Sequence, residues 1–214
     1  MRTLLFIAFS LLTMGSLGQK ILKKPVKVIP QLSVYDINGD TTNLKIISNN
    51  KVTFIDFWFI PCGPCFVEMN MLHRLYGKYK DDPNVAFLTI TLTDSAFARP
   101  LIENRNTGSN ETYDYFKKLA GLDKFTLPVF FLNGIDTKMR SFKKSKTGFS
   151  GQHEPRTQEI DYTKFPDNKF GFSGYPTILI FDRKGNLIYN KTGFTKEGER
   201  QQQQKIEALI NSNL

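Results

Sequence analysis

The chain has 214 residues, 40% of them hydrophobic and 13% aromatic, which suits a single domain with insertions and a sizeable core. Its 29 lysines and arginines against 20 acidic residues give a net charge of +9, but they are not interleaved with aromatic residues as on a base-stacking surface, so nucleic-acid binding is not expected. The chain holds only two cysteines, which excludes a four-thiolate metal site.

From the amino terminus, Arg2, the apolar run Leu4 to Leu12 and the small-residue stretch Ser16-Leu17-Gly18 predict a signal peptide over residues 1–18, cleaved near Gly18. The alternative is a retained anchor facing the periplasm, although the apolar stretch is about half of the roughly 20 residues a spanning helix needs. Residues 19–30 carry four lysines and two prolines without a period and read as a linker. A single domain is expected over residues 31–214, with no internal repeat.

Within it, Leu32, Val34 and Ile37, then Asn38-Gly39-Asp40, then Leu44, Ile46 and Ile47 predict two short strands about an Asn-Gly turn. The stretch from Val52 to Phe59 is nearly all apolar, as in a strand covered on both faces, with Asp56 as the exception. From Cys62 the period changes. Cys65, Met69, Leu72, Tyr76 and Tyr79 recur at helical spacing, so a helix begins at the two cysteines. Val85 to Leu92 predicts a second buried strand, parallel to the first across a crossover helix. A further helix is expected from Glu111 to Ala120, closed by Gly121, and a strand from Leu127 to Leu132. Residues 133–168 lose all apolar period and read as a long polar insert, which holds the basic cluster Lys138, Arg140, Lys143, Lys144 and Lys146. That basic excess reads as a solvated face, with peripheral association with an anionic membrane as the alternative. Tyr175 to Phe181 and Asn186 to Tyr189 predict a hairpin about Asp182-Arg183-Lys184-Gly185. A closing helix from Glu197 to Ile210 would face Ile206, Leu209 and Ile210 inward and Gln201 to Gln204 toward solvent.

The chemistry sits at Cys62-Gly63-Pro64-Cys65. A zinc site of two cysteines and two histidines would need both His73 and His153, and His153 lies far along in the polar insert, so no metal is expected. A thiolate attacks a disulfide, and a helix amino terminus lowers a thiol's pKa through its unpaired N–H groups and dipole. Cys62 at that terminus is the expected nucleophile, and Cys65, one turn in, the resolving thiol. Pro64 suits the first helical turn, where its missing N–H has no partner, and Gly63 admits a close partner chain. Asp56, buried behind the thiols, would have a raised pKa and could take the proton from Cys65. An edge-strand aspartate facing water is the alternative. Glu68, one turn beyond Cys65, would relay or tune that proton, or else be an exposed helix glutamate.

These residues carry a resemblance. The Asn38-Gly39-Asp40 turn, Asp56-Phe57-Trp58 before Cys62-Gly63-Pro64-Cys65, Glu68, and Gly174-Tyr175-Pro176-Thr177 followed by Asp182-Arg183-Lys184-Gly185 resemble the TlpA/ResA group of exported thiol-disulfide oxidoreductases. The resemblance implies an α/β, thioredoxin-like fold: a central mixed sheet flanked by helices, an amino-terminal hairpin extension, and here a long insert before a cis proline at Pro176. It implies that Trp58, Gly63, Pro64, Tyr175 and Pro176 form the substrate-binding surface, with the backbone at Tyr175 pairing a substrate strand. It further implies disulfide exchange without a cofactor, exported protein thiols and disulfides as partners, and a membrane thiol protein as electron donor. Cys-Gly-Pro-Cys is the thioredoxin dipeptide, which favours a reductant. Phe59-Ile60-Pro61 departs from the small residue and tryptophan that similar proteins often carry before the first cysteine. A thiol peroxidase, or a thioredoxin-like module that binds a metal or a partner, are the competing readings.

Overall fold

The computed structural model describes residues 26–105, 111–132 and 169–214; the predicted signal peptide and the insert at 133–168, with its basic cluster, lie outside them. In chain order the described elements are β1 (Ser33–Tyr35), β2 (Thr41–Asn43), α1 (Leu44–Ile47), β3 (Val52–Trp58), α2 (Gly63–Tyr79), β4 (Val85–Thr91), α3 (Ser95–Ile102), α4 (Glu111–Ala120), β5 (Val129–Leu132), β6 (Thr177–Phe181), β7 (Leu187–Thr192) and α5 (Glu199–Asn211). The strands form one mixed sheet in the order β2-β1-β5-β4-β3-β6-β7. β3 runs parallel to β4 across the α2 crossover, β4 parallel to β5, and β6 antiparallel to both β3 and β7.

Every residue of β3 and of β4 is buried, as a sheet covered on both faces requires. Alternation then divides their side chains between two cores. Phe54 and Trp58, with Ile178 and Ile180 of β6, pack under Phe66, Met69 and Leu72 of α2 and under Ile206 and Ile210 of α5. Ile55 and Phe57, with Leu179 and Phe181, meet Val34, Leu44, Phe170 and Phe172 on the opposite face. Asp56, between Phe54 and Trp58, therefore points toward α2.

Four departures from the sequence pattern have physical causes. Leu44 to Ile47 is a short helix and not a strand: Asn43 caps it by accepting from the Lys45 N–H at 2.9 Å, and Ile46 is exposed. The linker ends sooner than expected, because Val28 bridges to Asn186, Ile29 donates to the Gly185 carbonyl, and Ile29 is buried. α3, absent from the sequence reading, is capped by Asp94, whose side chain accepts from the Ala96 N–H at 2.8 Å. In α5, Gln202 is half-buried and reaches across to Glu68. The helix over Glu111–Ala120 is closed by Gly121 at φ +66°, as its sequence predicts.

Candidate active site

Three elements meet at the carboxyl end of β3. Its last residue, Trp58, leads into Phe59-Ile60-Pro61, where the Ile60–Pro61 bond is cis. This segment is held by the Ile60 N–H donating to the Thr93 hydroxyl at 2.7 Å and by the Cys62 N–H donating to the Phe59 carbonyl at 3.0 Å. Cys62 is the N-cap of α2, extended at φ −81° and ψ 100°, and its sulfur accepts from the Cys65 N–H at 3.3 Å. Pro64 lies in the first turn, where an N–H would have no helical partner. The two sulfurs are joined as a disulfide, with Cα atoms 5.2 Å apart. Cys62 retains 6% of its surface and Cys65 1%, so Cys62 is the less enclosed of the two.

β6 brings the second part. Phe57 pairs with Thr177, which sets Pro176 level with Trp58 at the edge where the chain turns toward the cysteines. The Tyr175–Pro176 bond is cis. Tyr175 packs edge-on against both Phe59 and Phe172, at centroid distances of 5.3 and 5.4 Å. Thr177 donates its hydroxyl to the Gly174 carbonyl at 2.7 Å, and the Gly193 N–H donates to the Pro176 carbonyl at 2.8 Å.

The buried acids lie behind the thiols. Asp56 and Glu68 each keep 1% of their surface, so neither the edge-strand aspartate nor the exposed helix glutamate holds. Burial pushes the Asp56 carboxyl from the usual 3.8 up to about 8, against a lowering hydrogen bond from the Phe57 backbone. Burial, and then the charge of Asp56, push Glu68 well above its usual range; a hydrogen bond from Gln202 and the charge of Lys191 pull the other way. Asp56 Oδ1 and Glu68 Oε2 are enclosed with no hydrogen-bond partner among the described residues. Glu68 is three positions from Cys65 on α2, neighbouring places on one helix face. Such an arrangement can hold, take up or release a proton one turn from the inner sulfur.

Two expected residues stand differently. Trp58 is wholly buried against Phe66 and Phe125, at 6.3 and 5.7 Å, so it builds the wall behind the site and offers no surface to a substrate. Gly63 has a neighbour that its sequence position did not reveal: a Cβ there would meet the Tyr115 hydroxyl of α4 at 3.1 Å. Tyr115, Gln202 and Lys191 come from elements distant in sequence, and no spacing pattern links them to the cysteines. His73 is occupied structurally. Its Nδ1 pairs with the Met69 carbonyl at 2.7 Å and its Nε2 accepts from the Thr126 N–H at 3.0 Å, and burial lowers its pKa.

No family model matches the chain. Over 55 residues it is 38% identical to thiol-disulfide oxidoreductase ResA of Bacillus thuringiensis and equally to that of Bacillus anthracis, a stretch covering 26% of this chain and 31% of theirs. The match thus spans about a third of these relatives' length. Among solved structures, a thiol:disulfide interchange protein DsbE from Chlorobium tepidum aligns over 88% of this chain and 99% of its own, with a TM-score of 0.52 at 19% identity. A protein disulfide isomerase from Bacteroides thetaiotaomicron aligns over 89% and 92%, with a TM-score of 0.53 at 16% identity. The thioredoxin domain of a thiol-disulfide oxidoreductase from Bacteroides vulgatus aligns over 87% and 98%, with a TM-score of 0.51 at 16% identity. These likenesses show the fold: it is thioredoxin-like, with helices flanking a mixed sheet.

Proposed function

We propose that this chain, thioredoxin-like in fold and similar to ResA over part of its length, is a thiol-disulfide oxidoreductase working through Cys62 and Cys65. The observation that carries the reading is the Cys62–Cys65 disulfide at the amino terminus of α2, with Cys62 the less buried of the two and a buried carboxyl pair behind Cys65. In the reducing direction, the Cys62 thiolate attacks a protein disulfide. One substrate sulfur leaves as a thiolate and a mixed disulfide forms. Cys65 then gives its proton to the ionised form of the Asp56–Glu68 pair, and its sulfur attacks Cys62. The second substrate thiolate leaves, so the substrate gains two electrons and the Cys62–Cys65 bond re-forms. The helix terminus favours the Cys62 thiolate in the first step, where it is the nucleophile.

Gly63, Pro64, the Tyr175 backbone and Pro176 supply the docking edge in this reading, supported by the position of Pro176 beside the cysteine-bearing turn. The proposed setting is the periplasm, with exported proteins as substrates and a membrane thiol protein as electron source. It is supported by the apolar run at Leu4 to Leu12 and by the exported class the sequence resembles. Among the described residues no helix is long and apolar enough to cross a membrane.

The test is reduction of a disulfide-linked model protein by the pre-reduced full chain. Wild type is expected to reduce one substrate disulfide per chain, Cys62→Ser to be inert, and Cys65→Ser to accumulate a mixed disulfide with its substrate visible by mass. Full exchange activity in Cys62→Ser would refute the assignment.

A further inference from the structure

The buried carboxyl pair has a proton to move and almost no surface of its own exposed, so the proton needs an outlet. Strand register supplies the first observation. Asp56 pairs with Ile178, and Ile178 with Lys191, so the three occupy one cross-strand row with side chains on the face that α2 and α5 cover. Lys191 thus stands two strands from Asp56, about 10 Å in the sheet plane. The second observation comes from α5, where Gln202 Nε2 donates to Glu68 Oε1 at 3.0 Å. Lys191 and Gln202 meet in a cleft of about 490 Å³ between β7 and α5, lined also by Tyr189, Thr195 and Lys205. The remaining Glu68 oxygen and one oxygen of Asp56 are buried without a partner among the described residues. The groups facing Glu68 are therefore Asp56 from β3, Tyr189 and Lys191 from β7, and Gln202 from α5. Lys205 lies over the Tyr189 ring at 5.4 Å.

We propose that this cleft is the outlet through which the Asp56–Glu68 pair exchanges its proton with solvent, with Gln202 and Lys191 as the positioning residues that hold Glu68 and set its charge. The inference rests on the exchange function proposed above. Cys65 loses its proton to the pair as its sulfur bonds to Cys62, and the pair regains its base form only when that proton leaves. Along β3, Asp56 is flanked on the same face by Phe54 and Trp58, both wholly buried. The cleft is its polar side. Gln202 is an amide and keeps its two donors at every pH, so it orients Glu68 without competing for the proton. Lys191 is a solvent-facing cation whose field favours the ionised pair and so favours proton release.

The test uses the full chain and two readouts. One is the titration of the Glu68 carboxyl carbon by NMR in the oxidised protein, which needs no activity. The other is the pH profile of the resolving step, followed as disappearance of a preformed mixed disulfide. Gln202→Leu is expected to move the Glu68 titration to higher pH and to slow resolution about tenfold at pH 7, the size of one hydrogen bond to a charged group, and Lys191→Met to act in the same direction through loss of its charge. Lys191→Arg is expected to keep the wild-type profile. Thr195→Trp, which fills the cleft from its rim, is expected to slow resolution while the initial attack by Cys62 stays at the wild-type rate. An unmoved Glu68 titration in both Gln202→Leu and Lys191→Met overturns the positioning roles, and wild-type resolution in Thr195→Trp overturns the outlet. Wild-type protein that performs no exchange refutes the functional reading instead, and the NMR titration still decides the contact.

Discussion

Replacing Asp56 by asparagine should flatten the dependence of stability on pH. The Asp56 carboxyl rises from 3.8 in an ordinary setting to about 8 in the folded chain. Between those two values the unfolded chain ionises Asp56 while the folded chain keeps the proton, so the folded state binds more protons and stability falls as pH rises. Below pH 3.8 both states are protonated, and above about 8 both are ionised, so the loss is confined to that window. At about 1.4 kcal/mol per unit, the shift amounts to a loss of about 6 kcal/mol across the window, of which about 4 kcal/mol is gone by pH 7. Asparagine cannot ionise. Any cost of its unpaired amide, about 1–3 kcal/mol, is constant with pH and cancels when slopes are compared. Glu68 remains in the variant, relieved of the Asp56 charge, so a weaker slope of the same sign survives. Urea unfolding of the oxidised full chain at intervals from pH 4.5 to 8.5 measures both curves. Wild type should lose several kcal/mol more than Asp56→Asn over that range; parallel curves would refute the buried, proton-holding Asp56.

Gly63→Ala should gain helix propensity of about 0.5–1 kcal/mol but lose most of it against the Tyr115 hydroxyl, 3.1 Å from the new methyl. In a double-mutant cycle with Tyr115→Phe, denaturant unfolding should return a coupling of about 0.5–1 kcal/mol, and strict additivity would show that the two do not meet. Glu199 pairs with Arg74 of α2 and with Lys196, and although burial pushes its pKa up, the hydrogen bonds from Lys196 and Arg74 outweigh that and hold it below the usual range. The stability from this depressed carboxyl is present above the usual glutamate pKa and lost as pH falls through the lower folded value. Because Arg74 is 45% exposed, Glu199→Gln should cost only about 1 kcal/mol at neutral pH and less at 1 M salt, in thermal melts at matched pH. A salt-independent loss would contradict an ionic docking of α5 on α2.

Much of this site was legible in the chain itself because its signals are local. The change from a continuous apolar run to helical spacing at Cys62 placed the thiols at a strand-to-helix turn. Asp56 stood out as a charge in an apolar strand, and the structure buries it as that anomaly required. Pro176 was located by resemblance alone, since nothing in its neighbours' spacing distinguishes a cis bond. The contacts that escaped were tertiary. Gln202 sits among four consecutive glutamines, and only the docking of α5 on α2 selects the one that meets Glu68. Lys191 acquires its meaning from a register that links β3 to β7 through β6, and Tyr115 from the packing of α4 over the start of α2. Leu44 to Ile47 misled for the opposite reason: four residues are too few to separate the strand period from the helix period, and the Asn43 cap decided the outcome.

The most direct test of the central claim is the reduction potential of the Cys62–Cys65 couple, measured by equilibrating the full chain in defined thiol buffers and counting trapped thiols by mass. Reversible two-electron exchange centred near thioredoxin's value of about −270 mV is the predicted result. A pair that stays oxidised in buffers poised below about −300 mV, as structural disulfides do, would contradict a role in disulfide exchange.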